Sequence, residues 1–205
     1  MNIKQATHFS ARLMAVWLSS AMLFAIILLG CSAEAQDGKG SSEVDFFGVS
    51  LSNATRAQLR DALKKQNVQS IREDEKYWFD NYKAAGVLDE ADQLFIGYVS
   101  NGQKFARLEY IFPSSFDTEQ VQRIIKMVSV KYGAPKSING NYGLGNVNAV
   151  WPRGAIEIKV FRGWPSTSTT LRIQHNANDA AMRAEMVAQE EAETRATATK
   201  QGKAF

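Results

Sequence analysis

The sequence predicts an α+β fold, a two-layer sandwich in which an antiparallel sheet is covered by two helices. Two segments space their apolar residues at helical intervals, and behind each come short runs that alternate apolar with polar residues. The order helix, strands, helix, strands also reads as a duplicated helix-plus-strands unit at the level of topology, with slight residue identity between the halves. A helix must bury one stripe and a half-wet strand one face, so layering one on the other is the economical solution.

The first helix follows Phe46-Phe47-Gly48-Val49-Ser50-Leu51. Ser52 or Asn53 is its expected cap, and Leu59, Ala62 and Leu63 form its apolar side. Strands are expected at Val68–Arg72, Lys76–Tyr82, Leu94–Ser100 and Gln103–Phe112, with Asn101-Gly102 as a hairpin turn. In the last of these, Ala106, Leu108, Tyr110 and Phe112 share a face opposite Arg107 and Glu109. The second helix is better marked. Asp117 caps it and Gln120 reaches back, Val121, Ile124, Ile125, Val128 and Tyr132 make one face, and Gly133 and Pro135 stop it. Further strands are expected at Asn148–Trp151, Ala155–Phe161 and Thr169–His175, with Pro152-Arg153-Gly154 turning the first hairpin and the Asn139–Asn146 segment as a loop. Ile156, Ile158 and Val160 alternate against Glu157 and Lys159, as a sheet buried on one face requires.

Composition divides the chain into residues 1–30, 31–44, 45–175 and 176–205. The first has Lys4, His8 and Arg12 with no acidic residue, then an apolar run from Leu13 to Gly30 broken by Ser19 and Ser20, the order of a secretory signal. Residues 31–44 are small and polar and read as a flexible tether. The domain of 45–175 is long enough to bury its own core. From 176 the chain is rich in Ala, Glu and Arg, a charged tail that is partly helical and either solvated or docked on a partner.

The signal ends Leu28-Leu29-Gly30-Cys31, with Cys31 the only cysteine of the chain. This resembles the bacterial lipoprotein signal-peptide family. The resemblance implies cleavage before Cys31, acylation of its thiol and a lipid-anchored mature protein, and with Ser32 next it implies the periplasmic face of the outer membrane. Anchoring in the inner membrane, secretion, or an uncleaved transmembrane anchor are the alternatives. The run from Phe47-Gly48-Val49 to Leu63 is faintly similar to the small periplasmic lipoproteins of outer-membrane protein assembly, although the strand-rich stretch from Lys76 to Asp92 departs from them. The doubled helix-plus-strands layout is similar to the secreted β-lactamase inhibitor protein fold. Both likenesses imply a binding module.

Charge points away from nucleic acid. The chain has 24 Lys and Arg against 21 Asp and Glu, and loss of Lys4 and Arg12 with the signal takes the net charge from +3 to +1, with no basic run in what remains. With Cys31 acylated, no intramolecular disulfide is possible and His175 is the sole imidazole of the mature chain. Nucleophilic triads and zinc or copper sites thus lack materials, and no metal, cofactor or catalytic residue is expected. Glu73, Asp74, Glu75 and Asp80 beside Tyr77-Trp78-Phe79, with Asp89, Glu90 and Asp92, leave an envelope hydrolase as one alternative. A small-molecule or lipid carrier is another. Gly143 and Gly145 lead into a strand and do not open a helix, which is no phosphate cradle.

The expected activity is therefore non-catalytic binding of an envelope protein partner by a module tethered to the membrane through its lipid. Trp151 alternates with inward strand residues and is assigned to the core. Trp164 falls in a hairpin loop, where a large ring is costly to leave wet without a partner. The expected contact surface is Trp164 with Arg162, Tyr142 in the 139–146 loop, and Trp78.

Overall fold

A computed structural model describes residues 43–204 apart from 164 and 167. Cys31, the signal and most of the tether lie outside the described residues, as does Trp164. One antiparallel sheet of eight strands dominates. The elements run as a short hairpin of β1 (Asp45–Phe46) and β2 (Val49–Ser50), α1 (Arg56–Lys65), β3 (Ser70–Arg72), β4 (Phe79–Lys83), β5 (Gln93–Tyr98) and β6 (Phe105–Pro113). Then come α2 (Gln120–Tyr132), β7 (Ser137–Asn141), β8 (Asn146–Arg153), β9 (Ile156–Arg162), β10 (Ser168–His175) and α3 (Asn176–Gln201).

The strand order is β3-β4-β5-β6-β10-β9-β8-β7, so each half contributes a helix and four strands, and the second half lies in the sheet in mirrored order. The halves join where β6 runs antiparallel to β10, from Ser168 opposite Pro113 to Gln174 opposite Arg107. In consequence the β5–β6 turn of the first half and the β9–β10 turn of the second lie at opposite ends of the sheet.

Alternation works as expected on the face under α1 and α2. Leu94 and Ile96, Leu108, Tyr110 and Phe112, Leu171 and Ile173, Ile156, Ile158 and Val160, and Val147, Ala149 and Trp151 all enter one core. Leu59 and Leu63 of α1 join them, as do Val121, Ile124, Ile125, Val128 and Tyr132 of α2. Trp151 is fully buried, its Nε1 donating to the Gly133 carbonyl at 2.8 Å, so the end of α2 and strand β8 are fixed together.

Local expectations need four corrections. The cap of α1 is Thr55, not Ser52 or Asn53. Its Oγ1 accepts the Gln58 N–H while Gln58 Oε1 accepts the Thr55 N–H, a reciprocal box. The cap position of α2 is Glu119, which makes no side-chain cap bond; Asp117 two residues earlier accepts the N–H groups of Glu119 and Gln120 on its Oδ1, and Gln120 turns to the Pro113 carbonyl and Glu90 and does not reach back. Ala106 is not on the Leu108 face. Tyr98 pairs with Phe105 and Gly97 with Arg107, so Ala106 is the extra residue of a bulge and turns to the other side. Finally, Ser137–Asn141, which runs into the first three residues of the expected Asn139–Asn146 loop, is an edge strand.

The sheet's second face is partly covered by α3. Gly97, Phe79 and Ala106 lie there, and Met182 of α3 packs among Val99, Ala106, Phe79 and Trp78. This cluster is separate from the main core. No helix of the described residues is long and apolar enough to cross a membrane.

Candidate functional site

Arg162 sits at the end of β9. The alternation that turns Ile158 and Val160 inward turns Arg162 inward too, and it is 7% exposed. Its Nη1 donates to the Asp117 carbonyl and its Nη2 to the Ser115 carbonyl at 3.1 Å. Gly145, at φ +66°, approaches so closely that a Cβ there would stand 3.2 Å from both Arg162 Nε and Thr118 Cγ2. One buried guanidinium therefore fastens the β6–α2 loop to the end of β9, with the β7–β8 turn lying close against it. Charged donors on carbonyls are among the stronger hydrogen bonds, and a guanidinium can serve two acceptors at once.

The β6–α2 loop is braced on its far side as well. Arg123 bridges Asp117 at 2.7 Å and Glu90 at 2.8 Å, and hydrogen bonds from Arg123 hold both carboxyls below their usual range. Within this frame Ser115 adopts φ +44°, which is uncommon for a side-chain-bearing residue. The product is Phe116 at 98% exposure, on a loop anchored at both ends, with Leu144 (61%) and Tyr142 (36%) on the turn beside it. Tyr142–Leu144 form a tight helical turn that Asn141 begins, its Oδ1 accepting the Gly143 N–H at 2.8 Å.

The residues expected to bind thus divide. Tyr142 lies at this loop end. Arg162 is not a surface group at all; it holds the surface in place, and continuing the inward alternation from Ile158 and Val160 would have revealed this. Trp78 is at the other end of the sheet, half-buried, with its Nε1 donating to Glu185 Oε2 at 2.9 Å, so α3 already occupies it. Phe116 was missed because a single aromatic in a polar turn has no periodic signal.

The opposite loop end has its own buried arginine. Arg56, in the first turn of α1, donates to the carbonyls of Asp74 (2.8 Å) and Tyr77 (3.0 Å) and to Gln103 Oε1 (2.9 Å), and stacks 4.8 Å from the centre of the Tyr98 ring. Asp80, fully buried, accepts four hydrogen bonds from Arg56 and Arg60. Burial by itself would raise the Asp80 carboxyl, but the hydrogen bonds from Arg60 and Arg56 outweigh it and the group is held below its usual range. The one buried member of the acidic cluster is therefore consumed in a structural network. Glu73, Asp74, Glu75, Asp89 and Asp92 are exposed, and Glu90 is paired with Arg123. Among the described residues no three His, Cys, Asp or Glu side chains are grouped to hold a metal ion. His175 ends β10, and its Nδ1 accepts the Asn178 N–H at 3.3 Å as the cap of α3.

No known protein family matches the chain, and no curated protein matches it. Among solved structures it is similar to a DUF4309 family protein (YjgB) from Bacillus subtilis, at 12% identity over 65% of this chain and 88% of that one, with a TM-score of 0.40. A likeness this loose transfers nothing to the present chain.

Proposed function

We propose that the protein is a membrane-tethered envelope module that acts by binding a protein partner, without catalysing a reaction, and that the partner meets the loop end carrying Phe116, Leu144 and Tyr142. The observation behind this reading is Phe116, almost wholly exposed on a loop whose carbonyls are held by the buried Arg162. A large apolar ring on a loop whose backbone is already held pays less in ordering when it binds, since only its side-chain freedom is lost, which supports a contact role. The tether reading rests on the sequence up to Val44. An acylated Cys31 would keep the domain at the membrane and raise its effective concentration there, so a small contact surface suffices. The hydrolase and carrier readings gain no support: the buried carboxylate is committed to arginines, and the space between helices and sheet is filled by side chains such as Trp151, Ile124 and Leu59.

Two experiments test the two parts separately. A photo-crosslinking residue at position 116 or 144, in the full chain and in intact envelopes, should give a discrete adduct that the same residue at Ile71 does not. Loss of selectivity between these positions refutes the surface. Metabolic labelling with a fatty acid should mark the wild type and not Cys31→Ser; equal labelling of both refutes the anchor.

A further inference from the structure

α3 starts with no linker after β10 and runs for 26 residues, yet only Asp179 and Met182 of it are buried. Every side chain from Val187 to Gln201 is exposed. Asn178, Asp179, Met182 and Glu185 hold the docked part, with Met186 packed beside Met182. Asn178 Nδ2 donates to the Phe105 carbonyl at 2.7 Å. Asp179 lies between Arg107 of β6 at 3.5 Å and Arg183 of its own helix at 3.0 Å. Met182 fills the space above Gly97, where a Cβ would stand 2.9 Å from its sulfur and 2.7 Å from the Phe79 ring. One oxygen of Glu185 accepts from Trp78 Nε1 at 2.9 Å, the Ser100 N–H at 3.0 Å and the Ser100 hydroxyl at 2.8 Å.

We propose that α3 is a latch that closes over the Trp78–Phe79 face of the sheet and opens as a unit while the main core stays closed. The apolar cluster it completes shares no residue with that core, so lifting the helix leaves the packing under α1 and α2 untouched. It also leaves β6 paired to both β5 and β10. Elements with few buried contacts open at lower free energy than the structure as a whole, and their contacts are lost together. Opening uncovers Trp78, Phe79 and the Ser100 donors at the end of the sheet away from Phe116, a second surface whose access the helix controls. The latch does not depend on the tether or on the Phe116 surface.

Hydrogen exchange followed by mass spectrometry on the full chain at neutral pH tests it. In the wild type, amides of residues 180–186 should exchange at least tenfold faster than those of β6 and β10 and share one opening rate. Glu185→Gln and Gly97→Ala should each accelerate them a further tenfold or so without changing β6 or β10. Exchange of α3 at the rate of the central strands would overturn the latch. So would protection that fades smoothly from the C-terminus and ignores Glu185→Gln, which is simple fraying. If Gly97→Ala disturbs the sheet itself, the wild-type rates and Glu185→Gln decide alone.

Discussion

Arg56 and Asp80, 24 positions apart, meet through two hydrogen bonds of 2.7 and 3.2 Å in a site where both side chains are almost wholly out of solvent. Arg60 adds two more from the rim of the site, each 2.8 Å long. This network and the one around Arg162 play the same part in the two halves. Each puts one buried guanidinium where a helix start or strand end meets a loop, and each donates to two backbone carbonyls, Arg56 also pairing with Asp80. The mirrored strand order places the two at opposite ends of the sheet, so both ends are fixed by arginine.

Removing Asp80 should therefore cost far more than removing Arg60. Asp80→Ala leaves Arg56 buried without its counter-charge, a loss of about 3–5 kcal/mol in denaturant titration. Arg60→Ala leaves Arg56 and Asp80 paired, and Arg60 is itself partly exposed, so a loss below about 1.5 kcal/mol is expected. Equal effects of the two substitutions would show that the buried pair is not the centre of this network.

Arg162→Met should loosen the loop end that carries Phe116. Two carbonyls lose a charged donor, for a loss of about 2 kcal/mol or more, and limited proteolysis should cut within 114–119 where the wild type resists. Arg162→Lys should rescue little, since a single ammonium cannot reproduce the fork that serves both Ser115 and Asp117. A lysine variant as resistant as the wild type would mean that charge alone is sufficient here.

These networks also mark the limit of what the sequence made legible. The apolar faces of α1 and α2 and the alternation of β9 and β10 follow from spacing because each residue's burial is set by its own element. The burial of Arg162 was equally present in the β9 alternation, but its charge pointed to the surface, and only the Ser115 and Asp117 carbonyls more than 40 positions away explain why it can turn inward. Ala106 obeyed the alternation until a bulge opposite Gly97 broke it, and a bulge is a property of the strand pair. The edge strand β7, with Asn139, Gly140 and Asn141, has the composition of a loop and is a strand through its pairing with β8. α3 had only the weak stripe of Ala181, Met182, Met186 and Ala188 or Gln189 to suggest a docked face, because the surface it meets is assembled from residues 78–107.

At α1, the Thr55–Gln58 box predicts a cap effect at a residue the sequence did not single out. Thr55→Ala should lower stability by about 1 kcal/mol and Thr55→Ser by much less, since the serine hydroxyl can still accept the Gln58 N–H. Ser52→Ala, one turn of chain earlier, should be close to neutral. The opposite ranking in urea titrations would return the cap to Ser52.

Acid should act on α3 before it acts on the main core. Burial would raise the Glu185 carboxyl, but the Ser100 N–H, the Trp78 ring N–H and the Ser100 hydroxyl together hold it below its ordinary value of 4.5. A carboxyl depressed in the docked state stabilises docking fully above its ordinary value, and that contribution is lost as pH falls through the lower docked value. Asp80 obeys the same sign, but it belongs to the main body of the sheet, whereas Glu185 belongs to a helix with only two buried residues, which gives way first. The charged groups near Glu185 include Arg107 on β6, Glu75 and Lys76 beside Trp78, and Arg183, Glu190 and Glu193 on α3, with Asp179 and the His175 cap earlier on the chain. On acidification below pH 4.5, Trp78 emission, isolated by difference against Trp78→Phe, should change before the far-ultraviolet signal of the sheet does, and Glu185→Gln should abolish or blunt the first step. A single transition seen identically by both signals would mean that α3 and the sheet are lost as one.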